Sequence, residues 1–191
     1  MAVESVMLPL GTTAPPIFLP HVVSGQVYSS VSFHGKDALL VMFICRHCPY
    51  VKHVEQELPK IGKDYEGKKL GIIGISSNDP ATYQDDAPDR LKEMAGRLDF
   101  RFPFCFDETQ EVAKAYKAAC TPDFYVFDAQ RRLVYRGQLD DSRPGNNKSV
   151  TGRDLRAAID NVLAGKPVAS TQTPSVGCSI KWKLGNAPLW K

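Results

Sequence analysis

The strongest constraint on the fold is a junction between two kinds of segment. The run Ala38-Leu39-Leu40-Val41-Met42-Phe43-Ile44 is apolar throughout and leads directly into Cys45-Arg46-His47-Cys48. An unbroken apolar run of this length suits a central strand covered on both faces. A Cys-x-x-Cys pair where such a strand gives way to a helix is a dithiol placed for redox exchange. The spacing lets the two sulfurs bond to each other, and a helix N-terminus favours a thiolate. Zinc sites use the same spacing, so the surrounding elements must decide between the two chemistries.

Those elements alternate between strand and helix. After the cysteines, Val51, Val54, Leu58, Ile61 and Tyr65 fall on one helical face, and Pro59 should kink or split that helix. Residues 70–75 read as a second buried strand and residues 76–80 as a loop. Residues 89–98 read as a helix, 102–106 as a short strand and 109–116 as a third helix. Cys120-Thr121-Pro122 precedes a strand at 123–127, and residues 131–137 alternate as its antiparallel partner. Thr151 with Asp154 should cap a last helix whose inner face carries Leu155, Ala158, Ile159, Val162 and Leu163, with Gly165 ending it. Ahead of the junction, residues 1–20 read as an extended lead-in and 26–33 as a short edge hairpin. The chain divides into a domain over 1–167 and a tail over 168–191 packed on it.

Composition excludes several classes. The 191 residues are 43% hydrophobic and 24% charged, enough for one well-buried domain. The net charge of +3 is spread rather than massed, which argues against a nucleic-acid partner. No apolar stretch approaches the ~20 residues that cross a bilayer. Residues 1–10 hold no basic side chain and include Glu4, so they do not read as a secretory signal, and a cytoplasmic location is expected. Five cysteines, an odd number without a stapling pattern, favour reactive thiols over structural disulfides. With no glycine-rich nucleotide loop, no cofactor is expected, and reducing equivalents must come from another protein.

From Ala38 to Gly165, the order strand, Cys-x-x-Cys helix, strand, helix, Thr-Pro, two strands and helix resembles a redoxin of the thioredoxin superfamily. More narrowly, the chain is similar to small bacterial proteins grouped with the alkyl hydroperoxide reductase and thiol-specific antioxidant (AhpC/TSA) domain. Asp140-Asp141-Ser142-Arg143-Pro144 and the stretch from Pro174-Ser175-Val176-Gly177-Cys178 to Trp182 extend the likeness into the tail. The resemblance implies an α/β thioredoxin-like fold: a central mixed sheet flanked by helices, with an N-terminal edge hairpin and a C-terminal tail. It also implies that Cys45 attacks a protein or small-molecule disulfide and Cys48 resolves, with electrons from a thioredoxin- or glutaredoxin-type donor.

Cys45 is expected at the exposed end of the helix, with Cys48 deeper and slower to ionise. Arg46 and His47 are expected to stabilise a Cys45 thiolate, giving a pKa below the ~8.5 of a free thiol and a potential less negative than the roughly −270 mV of thioredoxin. The resemblance makes Thr121-Pro122 the cis-proline site beside the dithiol. Cys120 could approach the pair as a third redox thiol, and Cys178 could resolve only if the tail folds across the site. Cys105 reads as core, and Trp182 and Trp190 as apolar anchors of the tail. The chain departs from thioredoxin at Leu39, where that protein has a buried acid. This leaves Lys52, His53 and Glu55 as weak candidates for proton acceptor.

Two rivals remain. A thiol peroxidase needs Pro-x-x-x-Thr/Ser-x-x-Cys, but counting back from Cys48 gives Cys45 and Val41, and from Cys45 gives Met42 and Ala38. A copper or zinc module could use Cys45, Cys48 and His53, although a fourth ligand is not evident.

Overall fold

The computed structural model describes residues 2–190. The chain opens with β1 (Ala2–Glu4), followed by a hairpin of β2 (Phe18–Pro20) and β3 (Val27–Ser29). Then come β4 (Ala38–Phe43), α1 (Pro49–Val54), α2 (Glu57–Asp64), β5 (Leu70–Ser76) and α3 (Pro88–Arg97). The second half holds β6 (Phe104–Phe106), α4 (Glu111–Ala115), β7 (Cys120–Thr121), β8 (Asp123–Phe127), β9 (Leu133–Gly137), α5 (Arg153–Leu163) and β10 (Val176–Ser179).

The central sheet has the order β6-β5-β4-β8-β9, with β4, β5 and β6 parallel and β8 and β9 antiparallel. Every residue of β4 is buried, and alternation along the strand sends its side chains into two separate cores. Ala38, Leu40 and Met42 join side chains of α1, α2, α3 and α5. Leu39, Val41 and Phe43 join those of α4, the hairpin and Tyr116 on the other face. Each such aliphatic side chain contributes about 1.5–3 kcal/mol by leaving water, and here both faces of the strand have that cover. Leu39 is one of these apolar residues, so no acid stands there.

Local chemistry shifts several expected boundaries. The first helix is split, with α1 ending at Val54 and α2 starting at Glu57. Pro59 falls in the first turn of α2, where its missing N–H costs nothing. The hairpin lies earlier than expected, and residues 30–33 form a short 3-10 turn. The hairpin meets the sheet edge through Val22 N–H, which donates to Phe104 O at 2.9 Å. The cap of α5 also differs. Its N-cap is Gly152 at φ +67°, with no side-chain cap. Thr151 Oγ1 accepts the Arg153 N–H at 3.3 Å, the Asp140 carboxylate accepts the N–H groups of Thr151 (2.6 Å) and Gly152 (2.7 Å) ahead of the helix, and Asp154 accepts from Gln138 Nε2 at 2.6 Å.

The lead-in and the tail are joined. β10 lies between β1 and β7 in a separate three-stranded antiparallel sheet, with Ala2 opposite Cys178 and Cys178 opposite Thr121. Trp182 packs on the core, and its ring stands edge-on to Trp190 at 6.3 Å. No helix among the described residues is long and apolar enough to cross a membrane.

Candidate active site

Strand register puts the site together. Phe43, near the end of β4, is opposite Asp123 at the start of β8, so the chain beyond Phe43 runs beside the Thr121–Pro122 bond, which is cis. Helix α1 begins at Pro49 with Cys48 as its N-cap. The helix N-terminus therefore belongs to Cys48 and not, as expected, to Cys45. Both cysteines are 0% exposed, so Cys45 is not the accessible thiol that the resemblance implies. The two do lie in contact, with the Cys45 thiol bonded to the Cys48 sulfur.

On the Cys45 side, Sγ is 3.1 Å from Thr121 Oγ1 and 3.7 Å from His47 Nδ1. The dominant group there is Asp86, a fully buried carboxylate on the loop before α3. Its Oδ1 accepts Arg46 N–H at 2.7 Å and His47 N–H at 3.2 Å. Its Oδ2 accepts the His47 ring Nδ1–H, and Asn78 Nδ2–H at 2.8 Å. Burial opposes the Asp86 charge, yet the donors from His47, Asn78 and Arg46 hold its pKa below the usual carboxylate range. Arg46 turns outward, to Glu93 at 2.9 Å and the Arg90 carbonyl at 3.2 Å. Both side chains thus pair with carboxylates, and His47 Nδ1 also lies 3.7 Å from the Cys45 sulfur. Burial, the bond to Cys48 and the Asp86 charge together push Cys45 well above its ordinary pKa.

The Cys48 side has the opposite character. As a thiol, Cys48 donates to Thr121 O at 3.1 Å. As a thiolate it accepts the Cys45 and Cys178 thiols and the N–H groups of Val51 and Cys178. Led by the Cys45 hydrogen bond, and against the cost of burial, these donors lower Cys48 to about 4. These hydrogen bonds favour a negative charge at Cys48, where the sequence reading places it at Cys45.

The strand β10 forms the wall that supplies Cys178. A Cβ built on Gly177 would lie 2.0 Å from Thr121 O, so only glycine lets β10 approach the cis-proline segment this closely. Burial and contact with Cys48 raise Cys178 to about 11. Cys120 is buried and senses the charges of Asp123, Cys48 and Cys178, but its thiol turns to Pro122 O at 3.9 Å. Cys105 lies apart in the second core, pushed up to about 12 by burial.

Lys52, His53 and Glu55 do not reach the sulfurs. Glu55 pairs with Arg97 at 2.9 Å, and His53, whose Nε2 is buried without a hydrogen-bond partner, lines a small cavity with Tyr50 and Pro122. The acid at the site is Asp86, which sequence reasoning missed. Its one local sign, Asp85-Asp86 shortly before Pro88 at a helix start, carries no hint that the loop reaches under the cysteines.

The family model for Redoxin matches residues 9–155. The chain belongs to the Redoxin family. This Redoxin is 52% identical to an uncharacterized conserved protein of Geobacillus kaustophilus, with TM-score 0.94 and 98% of each chain covered. It is 46% identical to a hypothetical protein of Sinorhizobium meliloti, with TM-score 0.93, covering 95% of this chain and 99% of that one. More distantly, it is similar to the thioredoxin domain of a thiol-disulfide oxidoreductase from Bacteroides vulgatus. There the identity is 20% and the TM-score 0.58, over 69% of this chain and 89% of that one. No curated protein matches the chain. The Redoxin has the thioredoxin-like fold expected of its sequence, and family and fold together support an oxidoreductase.

Proposed function

We propose that this Redoxin is a thiol–disulfide oxidoreductase that cycles Cys45 and Cys48 between dithiol and disulfide. The observation that carries the reading is the direct contact of the two sulfurs beside the cis Thr121–Pro122 bond, with one sulfur strongly favoured as thiolate. A low-pKa sulfur next to a high-pKa thiol is an asymmetric pair, in which one attacks while the other waits protonated. The charge on Cys48 stabilises the reduced form and favours a potential less negative than thioredoxin's. Thr121 contacts both sulfurs, its hydroxyl at Cys45 and, while Cys48 is protonated, its carbonyl at Cys48. The substrates are protein or small-molecule disulfides, the electron donor is of thioredoxin or glutaredoxin type, and the odd cysteine count suits a reducing cytoplasm.

Equilibration with glutathione at defined ratios, followed by peptide mapping, tests this reading. A Cys45–Cys48 disulfide that forms and opens reversibly is the expected result. Its absence at every ratio would refute the assignment.

One observation favours a metal module: Cys45 Sγ, His47 Nδ1 and an Asp86 oxygen lie within 4.8 Å of one another. This set replaces the expected Cys45, Cys48 and His53. It fits a metal poorly, because Asp86 is already engaged by four N–H donors and the His47 Nδ1 proton is committed to Asp86. Stoichiometric zinc or copper in purified protein would favour it. The peroxidase reading gains nothing at Cys45, a buried thiol with a raised pKa. Slow consumption of hydrogen peroxide is expected, and fast second-order consumption would reverse this ranking.

A further inference from the structure

Neither Cys45 nor Cys48 reaches solvent, so a disulfide arriving from outside must first meet another group. Cys178 is the one partly exposed cysteine, and both its thiol and its N–H reach the Cys48 sulfur. Its position is held from both sides, with Ala2 opposite it on β1 and Thr121 opposite it on β7. The chain just beyond is also anchored, since Lys181 N–H donates to Asn78 Oδ1 at 2.8 Å. Asn78 in turn bonds Asp86, which ties the strap to the Cys45 wall. Cys48 is thus the middle of three thiols, with a buried neighbour on one side and a partly exposed one on the other.

We propose that Cys178 is the portal thiol of this site, passing disulfide bonds between outside disulfides and the buried Cys45–Cys48 pair. The proposal rests on the dithiol reading and supplies its missing entry step. Cys178 attacks one sulfur of an external disulfide, and the external S–S bond breaks. The first external sulfur leaves as a thiol with the Cys178 proton, which the neighbouring Cys48 thiolate can relay. Cys48 then attacks Cys178 Sγ, forming a Cys48–Cys178 bond and expelling the second external sulfur as a thiolate. Cys45 attacks Cys48 Sγ, forms Cys45–Cys48, and hands its proton to the released Cys178. Two electrons pass from the buried pair to the external disulfide, and Cys178 returns unchanged. The same steps in reverse reduce the pair with an external dithiol.

Oxidation by glutathione disulfide, followed with acid quenching and peptide mapping, tests the route. In Cys45→Ser the last exchange is lost, so a Cys48–Cys178 disulfide should accumulate. In Cys178→Ser the pair should still close to Cys45–Cys48, roughly tenfold or more slowly. In the wild type, which needs no substitution, Cys178–glutathione or Cys48–Cys178 should appear before Cys45–Cys48. Glutathione on Cys45 first, no Cys48–Cys178 link in Cys45→Ser, or a wild-type rate in Cys178→Ser would each overturn the portal. Those results leave the oxidoreductase reading standing if the wild type still forms Cys45–Cys48. Failure of that disulfide to form is the separate result that defeats the reading itself.

Discussion

Cys45 and Cys48 share one short loop yet face walls of opposite character. The wall behind Cys45 carries a buried negative charge, Asp86, locked by side-chain and backbone donors. The wall around Cys48 is made of donors from α1 and β10, with no carboxylate in contact. Burial and the hydrogen bond to Cys48, with the Asp86 charge behind them, raise Cys45, while that same bond, aided by donors from α1 and β10, lowers Cys48. Of the motif residues between the cysteines, Arg46 pairs with Glu93, and His47 pairs with Asp86 while lying 3.7 Å from the Cys45 sulfur.

The largest expected effect is the loss of a whole signal. Cys48→Ser should abolish the ultraviolet absorbance of a thiolate between about pH 5 and 8, whereas Cys45→Ser should keep it. Absorbance that follows Cys45 would invert the comparison. The β10 wall is next. Gly177→Ala sets a Cβ against Thr121 backbone atoms at 2.0 and 2.6 Å, neither of which can yield without parting β10 from β7. Destabilisation by about 3 kcal/mol or more is expected in urea titrations; a loss within experimental error would show that the strap sits loosely.

Asp86→Asn keeps the shape and removes the charge from the other wall. A loss of about 1.5–3 kcal/mol is expected from hydrogen bonds to a charged group, together with a downward shift of Cys45 in alkylation-rate profiles. An unchanged Cys45 titration would mean that burial alone sets it. The effect smallest per pH unit concerns Asp123, whose carboxyl burial raises to about 8. Its protonated form is favoured in the folded state, so its contribution is complete below the unfolded value near ~4 and is lost as pH rises toward 8. Relative to wild type, Asp123→Asn should flatten the fall in stability over that window, by at most about 1.4 kcal/mol per pH unit. Parallel curves for the two proteins would remove Asp123 from the account.

The parts of this molecule that were legible in advance are those whose side chains report their own environment. The apolar run of β4 and the helical spacing of Leu155, Ala158 and Ile159 in α5 announce burial directly. Pro59 marks the break between α1 and α2 because its ring and missing N–H act locally. Thr151 does accept the first N–H of α5, while the turn ahead of it is held by Asp140, a residue well upstream that the local sequence does not point to. The partners of the motif residues were hidden in the same way. Arg46 and His47 look like thiolate stabilisers until Glu93 and Asp86 are placed beside them.

By itself, the sequence determined the central sheet and the dithiol at the end of its middle strand. Apolar periodicity and cysteine spacing are local, and the hydrophobic effect acts on them whatever lies elsewhere. Tertiary structure alone decided that β1 and β10, from the two ends of the chain, would close beside Thr121, bringing Cys178 to Cys48 and Asp86 to the opposite wall. Strands pair through backbone N–H and C=O groups that every residue except proline carries, and such pairing leaves almost no mark in the side chains. The charge on a buried sulfur is likewise set by whichever distant groups folding brings within hydrogen-bond reach.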